Sequence, residues 1–114
     1  MQPDRIQRKH LLTAEMDPRN LTAVDVREIR LGPGEQSGRH LHPCAVVGLI
    51  KEGAATLEIE GEPAITLPAG SAFFEPAETV IVNFGNASDR DPLTFVAFYL
   101  LDGEQELIRM LDSR

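Results

Sequence analysis

The chain is poor in sulfur and in aromatic rings: its 114 residues include one cysteine, no tryptophan, one tyrosine and five phenylalanines. A lone cysteine, Cys44, cannot close an intramolecular disulfide, and it excludes a cysteine-rich zinc module. No stretch approaches the ~20 consecutive apolar residues needed to span a bilayer. The opening Met-Gln-Pro-Asp-Arg-Ile-Gln-Arg-Lys-His carries charge instead of the apolar run of a signal peptide. Positive charge is scarce as well, with 11 Lys and Arg against 18 Asp and Glu for a net charge of −7. Nucleic acids and anionic membranes both recruit basic surfaces, so neither is an expected partner. Together these absences predict a soluble, cytoplasmic protein.

What is present points to a single globular domain. Apolar residues make up 42% of the chain and charged residues 25%, and the length matches one domain of roughly 100–200 residues. Glycine and proline interrupt the chain at short intervals from Gly32 onward, and the runs between them favour β structure. Residues 55–60 alternate, with Leu57 and Ile59 on one face and acids on the other. Gly61-Glu62 has the form of a type II′ hairpin loop, with Ile65 and Leu67 on the return strand. Further strands are predicted over 23–31, 45–51, 71–75, 79–84 and 93–101. Many short strands at this spacing predict an all-β sandwich or small barrel over residues 21–103. Residues 1–20 are polar and mixed, and read as an arm. In the tail, 104–114, Leu107, Ile108 and Leu111 fall at helical spacing behind acids suited to a first turn, which predicts a short helix.

His40-Leu41-His42 is the triplet richest in chemistry. Side chains two apart on a strand point the same way, and neutral imidazole is the commonest ligand for first-row transition metals. Its setting extends the pattern. Pro33-Gly34 precedes it, Pro43 follows it, Gly53 lies further on, and Gly70 and Pro76 bracket another strand. This joint spacing resembles the two motifs of the cupin superfamily, over about residues 25–100. The resemblance implies a double-stranded β-helix, or jelly-roll barrel, commonly paired as a homodimer, with a small-molecule ligand inside it. It also implies a metal site of three histidines and one glutamate, and here the chain departs from the family. The glutamate's place holds Val46 or Val47, the third histidine's place holds Ile81, a motif glycine is Glu78, and the closing asparagine falls on Gly85. Only His40 and His42 remain of that ligand set.

Several residues are candidates to complete the site or line its pocket. Cys44 shares the parity of the histidines, and a His–His–Cys set suits zinc or copper. Asn83 shares the parity of Ile81, Glu75 ends the strand before it, and Glu78 lies in the turn between. Gly48 shares the inward parity of Val46, so its missing side chain leaves space, and Phe73 and Ile50 add apolar wall. The expected cofactor is one divalent transition metal (Zn, Fe, Mn, Ni or Cu) or none. The leading function is therefore a small-molecule-binding cupin with a reduced two-histidine site. The alternatives are a metal-dependent, dioxygenase-like enzyme with substituted ligands and a metal-free isomerase or epimerase using a histidine base. Homodimerisation is expected from the resemblance and from the apolar Leu107, Ile108 and Leu111.

Overall fold

A computed structural model describes residues 6–112. Its strands are β1 (Ala23–Leu31), β2 (His40–Leu41), β3 (Ala45–Glu52), β4 (Ala54–Ile59), β5 (Ile65–Pro68), β6 (Ala72–Glu75), β7 (Ile81–Asn86), β8 (Leu93–Leu101) and β9 (Arg109–Met110). They form two antiparallel sheets, ordered β1-β8-β3-β6 and β5-β4-β7-β2-β9. The architecture is the all-β double-stranded β-helix.

Alternation along the strands divides inside from outside. On β3, Val46 and Ile50 are buried, and on β8 Phe95, Ala97 and Tyr99 are buried. Between the sheets three rings pack together. Phe73 lies 5.0 Å from Phe84 and 6.1 Å from Phe95, and Phe84 lies 4.7 Å from Phe95, centroid to centroid. Phe74 and Phe98 belong to the opposite face, where they pair across Val47. Gly48 stands directly opposite Phe73, and a Cβ there would meet the ring's Cζ at 2.1 Å. The missing side chain therefore makes room for the Phe73 ring, and the expectation that it opens space beside the histidines is corrected.

Three local expectations are overturned. Residues 104–111 form no helix: 104–108 are irregular, and Arg109–Met110 pair with β2. His40 pairs with Met110 and Leu41 with Arg109, and the Leu111 amide donates to the Arg39 carbonyl at 3.0 Å. Leu107 packs on the core and Ile108 lines a cavity, so the apolar residues of the tail do not form a free face for a partner. The turn after β4 is centred one residue earlier than predicted. The Glu62 amide donates to the Ile59 carbonyl at 2.9 Å with Gly61 at φ 86°, a type II arrangement in place of II′. Finally, β7 begins at Ile81 and contains a bulge. Ile59 faces Ile81 while Glu58 faces Asn83, so Val82 is the extra residue.

Glu78 has φ 60°, alone among the described non-glycine residues in this left-handed region. It stands where the family motif has glycine. Its amide donates to the His42 carbonyl at 2.8 Å, a bond that ties the turn before β7 to the histidine segment. The arm, over residues 6–21, has no regular secondary structure and is mostly exposed. No helix among the described residues is long and apolar enough to cross a membrane.

Candidate metal centre

His40 and His42 enter from the five-stranded sheet, at the point where Pro43 turns the chain toward β3 of the other sheet. Both are almost fully buried, at 2% and 5% exposure. Their rings sit edge to face with centroids 5.0 Å apart. Each is oriented by a backbone carbonyl. His40 Nδ1 lies 2.9 Å from the Gly38 oxygen, and His42 Nδ1 lies 2.6 Å from the Leu107 oxygen. A carbonyl only accepts, so both Nδ1 atoms carry the proton, and each Nε2 is left as the coordinating nitrogen. The tail thus has a purpose at the site: it supplies the Leu107 carbonyl.

Glu75 completes the group from β6, at the end of the opposing sheet. It is 3% exposed, and its Oε1 lies 2.8 Å from His42 Nε2. Ligand atoms of His40, His42 and Glu75 all lie within 4.8 Å of one another, close enough to hold a metal ion. The β3–β6 register explains how a carboxylate comes to be there. Glu75 pairs directly across from Val46, the residue in the place of the family's glutamate. Side chains directly opposite in an antiparallel pair lie ~4.5–5.5 Å apart at Cβ. Glu75 thus brings a carboxylate from the neighbouring strand to the region of the barrel that Val46 also lines.

The electrostatics follow from this packing. Burial lowers the His40 imidazole below the ordinary histidine value, and its other neighbours do not restore it. Burial also pulls on His42, but there the hydrogen bond and charge of Glu75 and the Leu107 carbonyl win, so its pKa is raised. With Nδ1–H committed to Leu107, the 2.8 Å contact of His42 Nε2 with Glu75 Oε1 needs one proton shared between them. A metal cation held by these three residues would displace that proton, since imidazole and carboxylate ligate in their deprotonated forms. Two imidazole nitrogens and one carboxylate oxygen form the set typical of non-haem iron, and they also suit zinc or manganese.

A cavity of about 150 Å³ adjoins the three residues. Val46, Phe73 and Glu75 line it, together with Tyr99, whose ring lies edge-on to His42 at 5.8 Å. Sequence reasoning missed Tyr99, although alternation from Phe95 through Ala97 places it inward. Other expected site residues lie elsewhere. Cys44 is fully buried in the core but outside the ligand cluster, because Pro43 turns the chain and breaks the parity with His42; burial pushes its thiol pKa up. Asn83 is turned away by the bulge. Its Nδ2 donates to Gln36 Oε1 at 2.6 Å, and its Oδ1 accepts from the Gly38 amide. Ile81, with no exposed surface, is core opposite His40. Glu78 is exposed.

A double-stranded β-helix with a buried histidine–carboxylate cluster at its centre defines a cupin-type barrel. Residues 27–99 match the sequence model of the Cupin domain family, and the chain belongs to that family. No curated protein matches the chain closely enough in sequence to serve as a relative. Solved structures share the fold. The DMSP lyase DddQ from Ruegeria pomeroyi superposes with TM-score 0.67 at 20% identity, over 76% of this chain and 42% of that one. The polyketide cyclase RemF from Streptomyces resistomycificus gives 0.65 at 17%, over 78% and 61%. A sugar phosphate isomerase of the cupin superfamily from Silicibacter pomeroyi gives 0.61 at 26%, over 71% and 52%. The chain thus spans between about two fifths and three fifths of the length of these proteins.

Proposed function

We propose that this protein is a metal-binding cupin barrel that holds one divalent transition metal on His40, His42 and Glu75 and receives a small molecule in the adjoining cavity. The convergence of two carbonyl-oriented imidazoles and a buried carboxylate carries the reading, since three such donors are costly to bury together without a cation or a proton to share. A metal bound there supplies Lewis-acid polarisation of a ligand oxygen or activation of water. The chain's own residues orient the ligand nitrogens, exclude bulk water and present the Tyr99 phenol. Elemental analysis of dialysed protein tests this. About one equivalent of a single metal is expected, lost in the double variant His40→Ala/His42→Ala; equal metal in both proteins sinks it.

A second reading, a metal-dependent enzyme, is favoured by the fold's occurrence in a lyase, a cyclase and an isomerase. Three protein ligands leave room for substrate to coordinate. Among these activities sugar phosphate chemistry is disfavoured, because among the described residues no Lys or Arg lines the cavity. Turnover of any substrate that persists at full rate after complete metal removal would count against this reading.

We also propose a homodimer, with a second copy covering the outer face of the four-stranded sheet. That face aligns Val24, Val26, Val47, Phe98 and Leu100, with Val24 52% and Val26 56% exposed. The arm lies against Ala45 and Phe74 at Met16 and leaves its outer part open, with Ile6 79% exposed and Leu11 48%. The radius of gyration is accordingly 15.4 Å, against roughly 13 Å for a compact chain of this length. The exposed Ile6 and Leu11 side chains fit a contact with the second copy. Sedimentation as a monomer at micromolar concentration would overturn this.

A further inference from the structure

The cavity's wall says what kind of molecule fits, and this deepens the metal reading on which it rests. Its volume of about 150 Å³ equals that of the engineered apolar cavity known to take benzene, ~150 Å³. Ile29, Leu31, Val46, Phe73, Phe84 and Phe95 make most of the wall, and Ala97 adds only a methyl group. Half-buried Ile29, Leu31 and Ser37 and the 43%-exposed Ile108 mark the mouth. Polar groups gather at one end, where His40, His42 and Glu75 meet. The Ser37 hydroxyl is already engaged, donating to the Gly38 carbonyl and accepting from the Phe84 amide, both at 2.9 Å, with His40 Nδ1 3.3 Å away. That leaves the Tyr99 phenol as the neutral donor on the wall.

We infer that the cavity takes a compact molecule with one apolar body of about six to eight heavy atoms and a single oxygen-donor end, a benzoate- or phenol-sized ligand whose oxygen faces the His40–His42–Glu75 centre. A sugar has too many hydroxyls for this wall, and each one buried without a partner weakens binding. A phosphate ester or dicarboxylate brings charge that a single cation and one phenol do not match. An aromatic or branched aliphatic monocarboxylate matches both ends of the cavity.

The test separates the two ends. Toluene, which has no donor, is titrated into chelator-treated protein and probes the apolar body without metal. Benzoate, phenol, glucose 6-phosphate and glycerate are then titrated into cobalt(II)-loaded protein, with heat and the cobalt absorption band as readouts. Expected are toluene binding to the chelator-treated protein and benzoate binding at least tenfold tighter to the loaded protein, with a change in the cobalt band. Ala97→Leu fills the cavity and should weaken both ligands at least tenfold while cobalt stoichiometry is unchanged. Ile108→Trp, at the partly exposed mouth, provides a variant that does not strain the core and should act in the same direction. Glucose 6-phosphate or glycerate binding as tightly as benzoate overturns the inference, as does toluene binding unaffected by both variants. Loss of cobalt stoichiometry in the unaltered protein is a different result, which defeats the metal reading and leaves the toluene arm to decide on the cavity.

Discussion

Gly48→Ala is the substitution whose cost the packing defines most closely. The new methyl would stand 2.1, 2.4 and 2.8 Å from three atoms of the Phe73 ring. Ordinary contact begins near 3.4 Å, so the ring must retreat by more than an ångström. Phe84 and Phe95 stand at 5.0 and 6.1 Å on its other sides, and the free direction is into the cavity it lines. Overpacking of this kind costs about 1–3 kcal/mol, and reduced freedom of the unfolded chain returns about 0.4–1 kcal/mol. A net loss of about 1–2 kcal/mol lowers the melting temperature by roughly 4–8 °C in a domain of this size. Urea unfolding of both proteins at matched metal content measures it, with an unchanged m-value showing that stability alone moved. The same displacement shrinks the cavity, so toluene binding should fall in parallel. A neutral or stabilising substitution would refute the packing of Phe73 over Gly48.

Glu78→Gly should stabilise the protein by about 0.5–1 kcal/mol, since a non-glycine residue at positive φ costs about 1–2 kcal/mol and part of the relief is lost to unfolded-chain entropy. A drop in the urea midpoint would contradict the φ of 60°. In chelator-treated protein, the His42 ring should titrate above the ordinary histidine value and the His40 ring below it, followed by NMR. The raised His42 contributes stability that is full below the unfolded value and is lost as pH rises through its folded pKa. The lowered His40 contributes above the unfolded value and is lost as pH falls through its folded pKa. Taken alone, the two histidines therefore place greatest stability between their folded pKa values; reversed assignments would overturn the geometry around Glu75.

Strand identity was legible wherever one face is buried and the other wet. The limits of β1 and β8 match the expected runs, 23–31 and 93–101, because alternation and flanking turns agree there. The tail was misread because the spacing of Leu107, Ile108 and Leu111 fits a helix as well as an irregular segment whose side chains meet different partners. Only the β2 edge decides between them, and it lies almost seventy residues away in sequence. Asn83 was misplaced because parity fails across a bulge, and nothing in Ile81-Val82-Asn83 signals an extra residue. Cys44 failed the same way at Pro43. Glu75 was legible as a candidate: it shares a face with Phe73, so an inward Phe73 implies an inward carboxylate. What the sequence could not show is that Val46 and Glu75 stand opposite each other, which is a matter of strand register.

The central claim is that Glu75 stands in, from the neighbouring strand, for the carboxylate missing at Val46. Cobalt(II) titration of the unaltered protein and of Glu75→Gln, which keeps shape and removes charge, tests it most directly. The account predicts one equivalent bound by the unaltered protein, with affinity at least ~100-fold weaker in the variant, beyond the 10–100-fold effects typical of outer-shell partners. Equal affinity in the two proteins, or no cobalt bound by either, would contradict it.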